Sequence, residues 1–196
     1  MLVATGRIPN TDILDVAKTN VEIDDKEFIK TNQYLETTSK NIWALGDIAG
    51  KFLFKHSANL EAEYVYNNAI LNKKMRVDYN AMPHAIFSSP QIAGVGLREQ
   101  GLREKKVDYA IGKYEFINSG MGLALQDNDG FVKIFADRKT RKILGCHIMG
   151  TDASTLIHEV VVAMKAGLDV DAISDAVHVH PALSEVVQRA VNGIEW

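Results

Sequence analysis

The feature that most constrains the fold is a series of short apolar runs separated by turn sequences in the second half of the chain. The runs have the length and alternation of strands and lie near residues 107–117, 130–137 and 142–149. Asp-Asn-Asp-Gly at 127–130 and Asp-Arg-Lys-Thr at 137–140 separate them and are typical of hairpin turns. Strands joined by such short turns pair in opposite directions, so this region predicts an antiparallel sheet.

Further elements surround this sheet. Two more strands are predicted at Ala85–Phe87 and Ala93–Leu97, and a short helix at Arg98–Glu104. A helix over Asp152–Ala166 should end at Gly167, and a last helix should begin near Ser184, a good N-cap. Because strands come first and helices follow, we expect an α+β fold, with helices covering one face of an antiparallel sheet.

The first 80 residues follow a different pattern. Met1–Gly6 predicts a buried strand, short strands are predicted at Phe28–Lys30 and Ile42–Leu45, and apolar residues at helical spacing predict a helix over 57–71. The polar stretch 72–82 predicts a domain boundary. Because a domain rarely begins inside a core strand, we expect that an N-terminal part precedes this chain.

Composition excludes several classes of partner. The formal charge is −3 and charged residues make up 24% of the chain, with acids and bases interspersed. Nucleic acid and anionic membranes would require a basic patch, so neither is expected as a partner. No apolar run approaches the ~20 residues of a membrane span, and residues 1–20 lack the order of a signal peptide, so a cytoplasmic location is the expectation. The single cysteine, Cys146, lies in an alternating apolar run and is expected to be a buried thiol.

Two short motifs in the first half could serve a ligand. In the run 4–10 (Ala-Thr-Gly-Arg-Ile-Pro-Asn), Pro9 fixes the direction in which the chain leaves a turn; an ordinary loop is the alternative. In the second motif, which runs from Thr37 to Asp47, Gly46 and Asp47 follow a predicted strand. An acid there could hold a sugar or ribityl hydroxyl, or Asp47 could simply close a turn. Lys55 and His56 lie at the start of the predicted helix, whose N-terminus could stabilise negative charge on a flavin ring.

The third motif is His-Val-His-Pro-Ala-Leu-Ser-Glu at residues 178–185. A Glu185 that accepts from one imidazole nitrogen of His180 would fix the tautomer and raise the basicity of the other nitrogen. Such a pair suits proton transfer at a sulfur near neutral pH. Two alternatives remain from the residues alone. The histidines could be ordinary surface residues, or His178 and His180 could form half of a metal site, although the sequence contains no further Cys or His cluster to complete it.

The three motifs, in this order and spacing, resemble those of the pyridine nucleotide-disulfide oxidoreductases. That family includes dihydrolipoamide dehydrogenase, glutathione reductase, mycothione reductase and mercuric reductase. The segments Ser88–Gly96, Gly130–Lys133 and Lys142–Gly150 are also similar to the opening and central strands of the family's interface domain. The resemblance covers nearly the whole chain.

The resemblance implies an organisation into three parts. Residues 1–10 would leave the NAD(P)-binding domain, residues 11–80 would be the returning, incomplete part of the FAD domain, and residues 81–196 would be the interface domain of a homodimer. Asp47 would bind the FAD ribityl chain. The remaining residues implied at or near the cofactor are Thr38, Gly46, Phe54, Lys55, His56 and Ala58.

The resemblance also implies a catalytic role. His180 would be the acid/base that serves a redox disulfide in the partner subunit, Glu185 would orient it, and the His180–Pro181 bond is a candidate for the cis form. The substrate would be a small disulfide or dithiol, or a lipoyl group. A dihydrolipoamide dehydrogenase-like enzyme is the first expectation and a low-molecular-weight thiol disulfide reductase the second. The tail lacks a Cys-Cys pair, which speaks against a typical mercuric reductase.

The sequence also departs from the family pattern. It has no Gly-x-Gly-x-x-Gly for FAD or NAD and no Cys-x4-Cys. We therefore expect this chain by itself to bind neither cofactor firmly and to have no reductase activity. A free-standing dimerisation or interaction module is the alternative function for the 196-residue molecule.

Overall fold

The computed structural model describes all residues, Met1–Trp196. The chain forms two compact units, Met1–Asp78 and Tyr79–Trp196. No helix in the structure is long and apolar enough to cross a membrane.

The first unit contains little regular structure. Three 3₁₀ turns lie at Asp12–Leu14, Val16–Thr19 and Gly46–Ala49, and helix α1 spans Lys55–Val65 and continues as one π-helical turn, Tyr66–Ile70. A small apolar core joins the buried side chains of Val21, Ile29 and Ala44. The loops are held by polar side chains: buried Asn68, for example, donates to Tyr34 O and Met75 O and accepts from Met75 N.

Three strands predicted for this unit were wrong, whereas the predicted helix is present with shifted bounds. Met1–Gly6 forms no strand and is exposed throughout. The predicted strands at Phe28–Lys30 and Ile42–Leu45 are reduced to single bridges, Ile23 with Ile29 and Glu36 with Trp43. Strands are stabilised by neighbours along their whole length, and the described chain offers these segments no continuous partner. The helix predicted over 57–71 begins two residues earlier, at Lys55, and its last turn is π-helical rather than α-helical.

The second unit is built on a five-stranded antiparallel sheet. The strands lie in the order β1-β2-β5-β4-β3, and each neighbouring pair is antiparallel. Their bounds are β1 Pro83–Ile86, β2 Gln91–Gly96, β3 Tyr109–Glu115, β4 Phe131–Asp137 and β5 Ile143–Gly150. The helices are α2 Glu99–Glu104, α3 Gly120–Ala124, α4 Ala153–Lys165, α5 Asp171–Ser174 and α6 Glu185–Asn192. The α+β prediction is confirmed, while the short helices α3 and α5 were not predicted.

One face of this sheet carries the main core. Val132, Ile134 and Ala136 alternate along β4 and are fully buried in a cluster that includes Ile157 and Val160 of α4, together with residues of α6. The alternate residues, among them Lys133, belong to the other face, where Lys133 pairs with Glu99 of α2. The sheet is therefore covered mainly on one face, as the order of elements predicted.

The ends of these elements follow from local chemistry. In the turn after β4, the Asp137 carboxylate accepts from the backbone of Lys139 and Thr140, and the Thr140 bonds hold the pKa of this carboxyl below its usual range. Gly167, at φ +68°, follows α4 in the left-handed conformation, as expected of a helix-ending glycine. Ser184 precedes α6, but its side chain makes no capping bond because its backbone is already helical.

Candidate functional site

The third motif brings His180 and Glu185 into direct contact. Nδ1 of His180 lies 3.0 Å from Oε1 and 3.1 Å from Oε2 of Glu185. Glu185 is the first residue of α6, where the partial positive charge of the helix N-terminus favours a carboxylate. The backbone N–H of Ala182 donates to Oε2 at 3.0 Å. The carboxylate is thus fixed by two donors from the segment that precedes its own helix. The His180–Pro181 bond is cis, as predicted.

The two side chains differ sharply in exposure. The Glu185 side chain is 12% exposed, whereas that of His180 is 74% exposed. Because a carboxylate can only accept, Nδ1 of His180 must donate, and in the neutral ring the basic nitrogen is then Nε2. Nε2 has no hydrogen-bond partner within the chain. The motif therefore presents a tautomer-fixed imidazole, with its basic nitrogen free, on the surface of the second unit.

The electrostatics of the pair support this arrangement. The pKa of Glu185 is lowered, first by the hydrogen bond from His180 and then by the N–H of Ala182. The carboxylate therefore remains ionised at neutral pH and can continue to accept from Nδ1. It can also stabilise the imidazolium that forms when Nε2 takes up a proton.

The first and second motifs meet in the first unit. Nη1 of Arg7 lies 3.2 Å from Oδ2 of Asp47 and donates to Leu53 O at 2.7 Å. Both side chains of this ion pair are more than half exposed, at 61% and 58%. They border a cleft of about 410 Å³ lined by Arg7, Ile8, Pro9, Asn10, Phe28, Asp47, Ile48 and Leu53. An exposed carboxylate at such a cleft can accept hydrogen bonds from ligand hydroxyls.

A buried acid on helix α1 supports the Gly46–Asp47 turn. Gly46 has φ +76°, a conformation that side chains other than glycine rarely adopt, and a Cβ there would lie 3.4 Å from Cβ of Ala58. Its N–H donates to Oε2 of Glu61 at 2.5 Å, and Glu61 is fully buried. Helix α1 therefore packs against this turn. Sequence reasoning missed Glu61, although an acid amid the apolar positions of a predicted helix was a signal for it.

The start of α1 groups three of the predicted residues. Phe54 is the N-cap residue, and no side chain caps the helix. The Phe54 ring stacks on His56, with centroids 5.0 Å apart and planes at 11°. Lys55 is bonded to Asn59 on the next turn. A helix N-terminus is a suitable neighbour for an anion or a polarised ring because of its partial positive charge.

Thr38 lies outside this grouping. Its hydroxyl accepts from the N–H of Glu22 at 2.8 Å and donates to Asn20 O at 3.1 Å. Both bonds join two loops of the first unit, and Thr38 does not line the cleft beside Asp47. Its side chain is therefore engaged in holding the loops.

Comparison with known proteins identifies the family. Residues 82–191 match the family "Pyridine nucleotide-disulphide oxidoreductase, dimerisation domain", and residues 1–86 match "Pyridine nucleotide-disulphide oxidoreductase". The chain belongs to the pyridine nucleotide-disulphide oxidoreductases. Mycothione reductase of Mycobacterium tuberculosis is 36% identical over 99% of this chain and 43% of its own length. Dihydrolipoyl dehydrogenase of Cupriavidus necator is 36% identical over 100% of this chain and 41% of its own length.

Comparison with a solved structure agrees with this family assignment. The HOCl-induced flavoprotein disulfide reductase RclA from Escherichia coli matches with a TM-score of 0.89 and 26% identity, over 96% of this chain and 44% of that one. The chain thus spans less than half the length of the family members to which it is similar. The match to a dimerisation domain covers the unit that carries His180 and Glu185.

The single cysteine is buried, as predicted. Cys146 on β5 is fully buried and faces the main core. Burial raises the pKa of its thiol far above the usual range, with a smaller contribution from the negative charge of Glu159. Since the thiolate is the reactive form, this cysteine is chemically inert in the folded chain.

A second histidine–glutamate pair in the second unit was not predicted. Nε2 of His178 lies 3.1 Å from Oε2 of Glu159, and the His178 side chain is only 8% exposed. Alternate residues of an extended strand lie on the same face, so the sequence favours equal orientation of His178 and His180. The structure instead buries His178 and exposes His180. What the sequence could not supply was the partner, which lies on α4.

Proposed function

We propose that this chain supplies the dimer interface and the His180–Glu185 acid/base pair of a FAD-dependent NAD(P)H:disulfide oxidoreductase of the dihydrolipoamide dehydrogenase type. The observation that carries the proposal is the Nδ1–carboxylate bond, which leaves a basic Nε2 exposed. Membership of the oxidoreductase family supports it independently.

The proposed chemistry is a proton transfer coupled to thiol–disulfide exchange. Nε2 of His180 takes the proton from an attacking substrate thiol, and the resulting thiolate displaces one sulfur of a disulfide. The departing sulfur leaves as a thiolate and can be protonated from the imidazolium. Glu185 keeps Nδ1 protonated throughout and balances the positive charge of the ring. Cys146 is buried and is not the sulfur acted on; the proposal places the disulfide in the partner subunit of the dimer.

The first unit contains groups that fit part of a flavin nucleotide. Asp47 offers an exposed carboxylate at the 410 Å³ cleft, a suitable acceptor for ribityl hydroxyls. Gly46 precedes Asp47 in the left-handed conformation, and α1 begins at Lys55 with an N-terminus whose partial positive charge favours an anion. When bound, the flavin would relay electrons between the nicotinamide and the disulfide. We propose that the 196-residue chain alone binds the cofactor weakly or not at all, because these residues form only one side of a site.

The proposal is tested in a chimera. Residues 1–196 replace the matching C-terminal segment of Mycobacterium tuberculosis mycothione reductase, to which they are 36% identical. We expect a yellow dimer whose flavin is reduced by NAD(P)H and which turns over a disulfide substrate. His180→Ala should lower kcat by at least about 10²-fold, the usual contribution of a general acid/base, while flavin binding is unchanged.

The matched control is His158→Ala. His158 is another histidine of the same unit that forms no part of the His180–Glu185 pair, and its replacement should leave kcat unchanged. Normal turnover in His180→Ala would contradict the catalytic assignment. Loss of the flavin spectrum in His180→Ala would show instead that the substitution acts on assembly.

The proposal also extends to the class of substrate. Mycothione reductase and dihydrolipoyl dehydrogenase relatives are equally similar, at 36% identity each, so a low-molecular-weight thiol disulfide reductase is the second candidate. Parallel assays of a chimera with dihydrolipoamide and with a small disulfide separate the two. We expect the higher kcat/KM with the lipoyl substrate.

A non-catalytic dimerisation module is the remaining alternative for the isolated chain. The second unit exposes large apolar side chains, including Val177, Phe87 and Leu123, which is typical of a surface covered in an assembly. We expect the 196-residue chain to sediment as a homodimer. A chain that remains monomeric at high concentration would contradict the proposed interface.

A further inference from the structure

We propose that Glu159 and His178 form a positioning pair that fixes the segment carrying His180, and so sets the position from which its Nε2 acts. The inference rests on the proposed acid/base role of His180. It concerns two residues that make no contact with the reacting atoms and that the acid/base chemistry itself does not require.

The segment between α5 and α6 has almost no backbone support. None of residues 176–181 takes part in a hydrogen bond between two backbone groups. Val177 and Val179 are 100% and 74% exposed, so apolar packing within the chain does not hold the segment either. His178 is the only residue of 175–181 that is not exposed. Within the chain, the support of His180 on its N-terminal side therefore acts largely through His178.

His178 is bonded at both ring nitrogens. Nδ1 lies 3.0 Å from Ala176 O, and Nε2 lies 3.1 Å from Oε2 of Glu159 on α4. Ala176 O also accepts from Nε2 of Gln188 on α6 at 2.8 Å. The segment is thus tied through one carbonyl and one imidazole to two helices of the core.

The hydrogen-bonding roles in this pair follow from donor and acceptor chemistry. A carbonyl only accepts, so Nδ1 of His178 must donate to Ala176 O. The contact between Nε2 and Glu159 then holds a single proton, either as imidazolium with carboxylate or as imidazole with carboxylic acid. Both forms are neutral overall and keep both hydrogen bonds. Burial raises the pKa of Glu159 and brings the second form within reach.

Packing does not explain why position 159 holds an acid. Its neighbours on α4, Ile157 and Val160, are buried in the main core. Its Oε1 is buried and has no hydrogen-bond partner, which is a cost to stability. An apolar residue would avoid that cost, so the stability of the core gives no reason for a carboxylate here. The bond to His178 provides such a reason.

The two pairs together hold the segment at both ends. His180 is bonded to Glu185 on its C-terminal side, and His178, two residues earlier, is bonded to Glu159. Loss of the second anchor leaves His180 its carboxylate partner but frees the backbone that carries the ring. Since catalysis requires the ring within hydrogen-bond reach of the sulfur, small displacements should reduce turnover more than substrate binding.

The test uses two substitutions of Glu159 in the chimeric enzyme. Glu159→Leu removes both acceptor oxygens, whereas Glu159→Gln can donate an amide N–H to Nε2 of His178 and so keeps the bond without the charge. We expect Glu159→Leu to lower kcat about tenfold or more with KM within about twofold of wild type, and Glu159→Gln to retain most of kcat.

Glu99→Leu is the matched control. Its side chain is 23% exposed, against 29% for Glu159, and it also lies in ion pairs, with Lys133 and Arg103. Those partners lie outside the segment 175–184. We expect Glu99→Leu to destabilise the unit without lowering kcat. A kcat in Glu159→Leu within about twofold of wild type, or equal losses in the two leucine variants, would overturn the inference.

A second measurement uses the 196-residue chain itself and does not depend on activity. Long-range ¹H–¹⁵N spectra report which ring nitrogen of His180 carries the proton. In the wild-type chain and in Glu99→Leu we expect the Nδ1–H form held by Glu185, and in Glu159→Leu a mixture of tautomers or exchange broadening. Unchanged His180 signals in Glu159→Leu would overturn the positioning role. If the wild-type chimera were inactive, the proposed function would be in question, and these spectra would still decide the role of the pair.

Discussion

The packing of α6 on β3 provides a sharp test of the fold that holds Glu185. Gly112 lies in the middle of β3, and a Cβ there would lie 2.0 Å from Ala190 O and 2.8 Å from Cγ1 of Ile194. Ordinary contact begins at 3.4 Å. The obstructing atom is a helix carbonyl, which cannot rotate aside as a side chain can. Gly112→Ala must therefore push the helix that begins with Glu185 away from the sheet.

The expected magnitude follows from the size of the unit. Overpacking costs about 1–3 kcal/mol, and a clash with backbone should cost about 3 kcal/mol. A unit of roughly 120 residues has an unfolding entropy of about 0.25 kcal/mol/K, so 1 kcal/mol corresponds to about 4 °C in Tm. Gly112→Ala should therefore lower the Tm of the second unit by about 12 °C.

The assay is thermal unfolding followed by Trp196 fluorescence. Trp196 lies in the second unit, where the Arg141 guanidinium stacks on its ring at 4.0 Å. The other tryptophan, Trp43, is removed as Trp43→Phe in all samples, and its indole N–H has no partner to lose.

Gly101→Ala in α2 is the matched control for Gly112→Ala. A Cβ at Gly101 meets nothing within 4 Å. Alanine should stabilise this helix by about 0.5–1 kcal/mol, a rise of about 2–4 °C in Tm. A Tm for Gly112→Ala within about 2 °C of the parent would refute the packing of α6 against β3.

Two further predictions concern ionisable groups of the second unit. Because burial raises the pKa of the Cys146 thiol, alkylation of the native chain should be at least about a hundredfold slower than in denaturant, measured by mass spectrometry; equal rates would show that β5 is exposed. The pKa of Glu185 is lowered in the folded chain, so its contribution to stability is fully present above its unfolded pKa of about 4.3 and is lost as pH falls through the folded value. In urea unfolding, Glu185→Gln should therefore be less stable than wild type at about pH 6, and the difference should shrink towards about pH 3; a difference independent of pH would exclude an ionised partner for His180.

The second unit was predictable from sequence because its elements are specified locally. The turn at 137–140 joins β4 to β5 as predicted, and the Asp137 carboxylate closes it. The turn at 127–130 is not a simple hairpin, because it ends a longer connection from β3 to β4 that contains α3. Alternation along β4 determines which side chains enter the core. The strand order β1-β2-β5-β4-β3 was not predicted, since pairing between β2 and β5 joins segments about 50 residues apart and leaves no local signal.

The first unit shows the limit of the same reasoning. Met1–Gly6 has the composition of a buried strand and is exposed coil. Apolar alternation indicates what a segment can pair with, and pairing also needs a neighbour within the chain. The turn at Gly46 and Asp47 was recognised because glycine and an acid after an apolar run have local meaning. The buried Glu61 that fixes this turn lies 15 residues away and was missed.

The third motif contains two histidines with opposite surroundings. His180 is 74% exposed and leaves Nε2 free, whereas His178 is 8% exposed and has both nitrogens bonded. A surface histidine can exchange a proton with a substrate at a fixed position only if its backbone is held, and residues 176–181 of this segment have no backbone–backbone hydrogen bonds to hold it. His178, turned inward onto half-buried Glu159, provides that support with a single side chain. Under the proposed function, the His-x-His-Pro pattern combines an acid/base histidine, His180, with a second histidine, His178, that anchors it to a helical Glu.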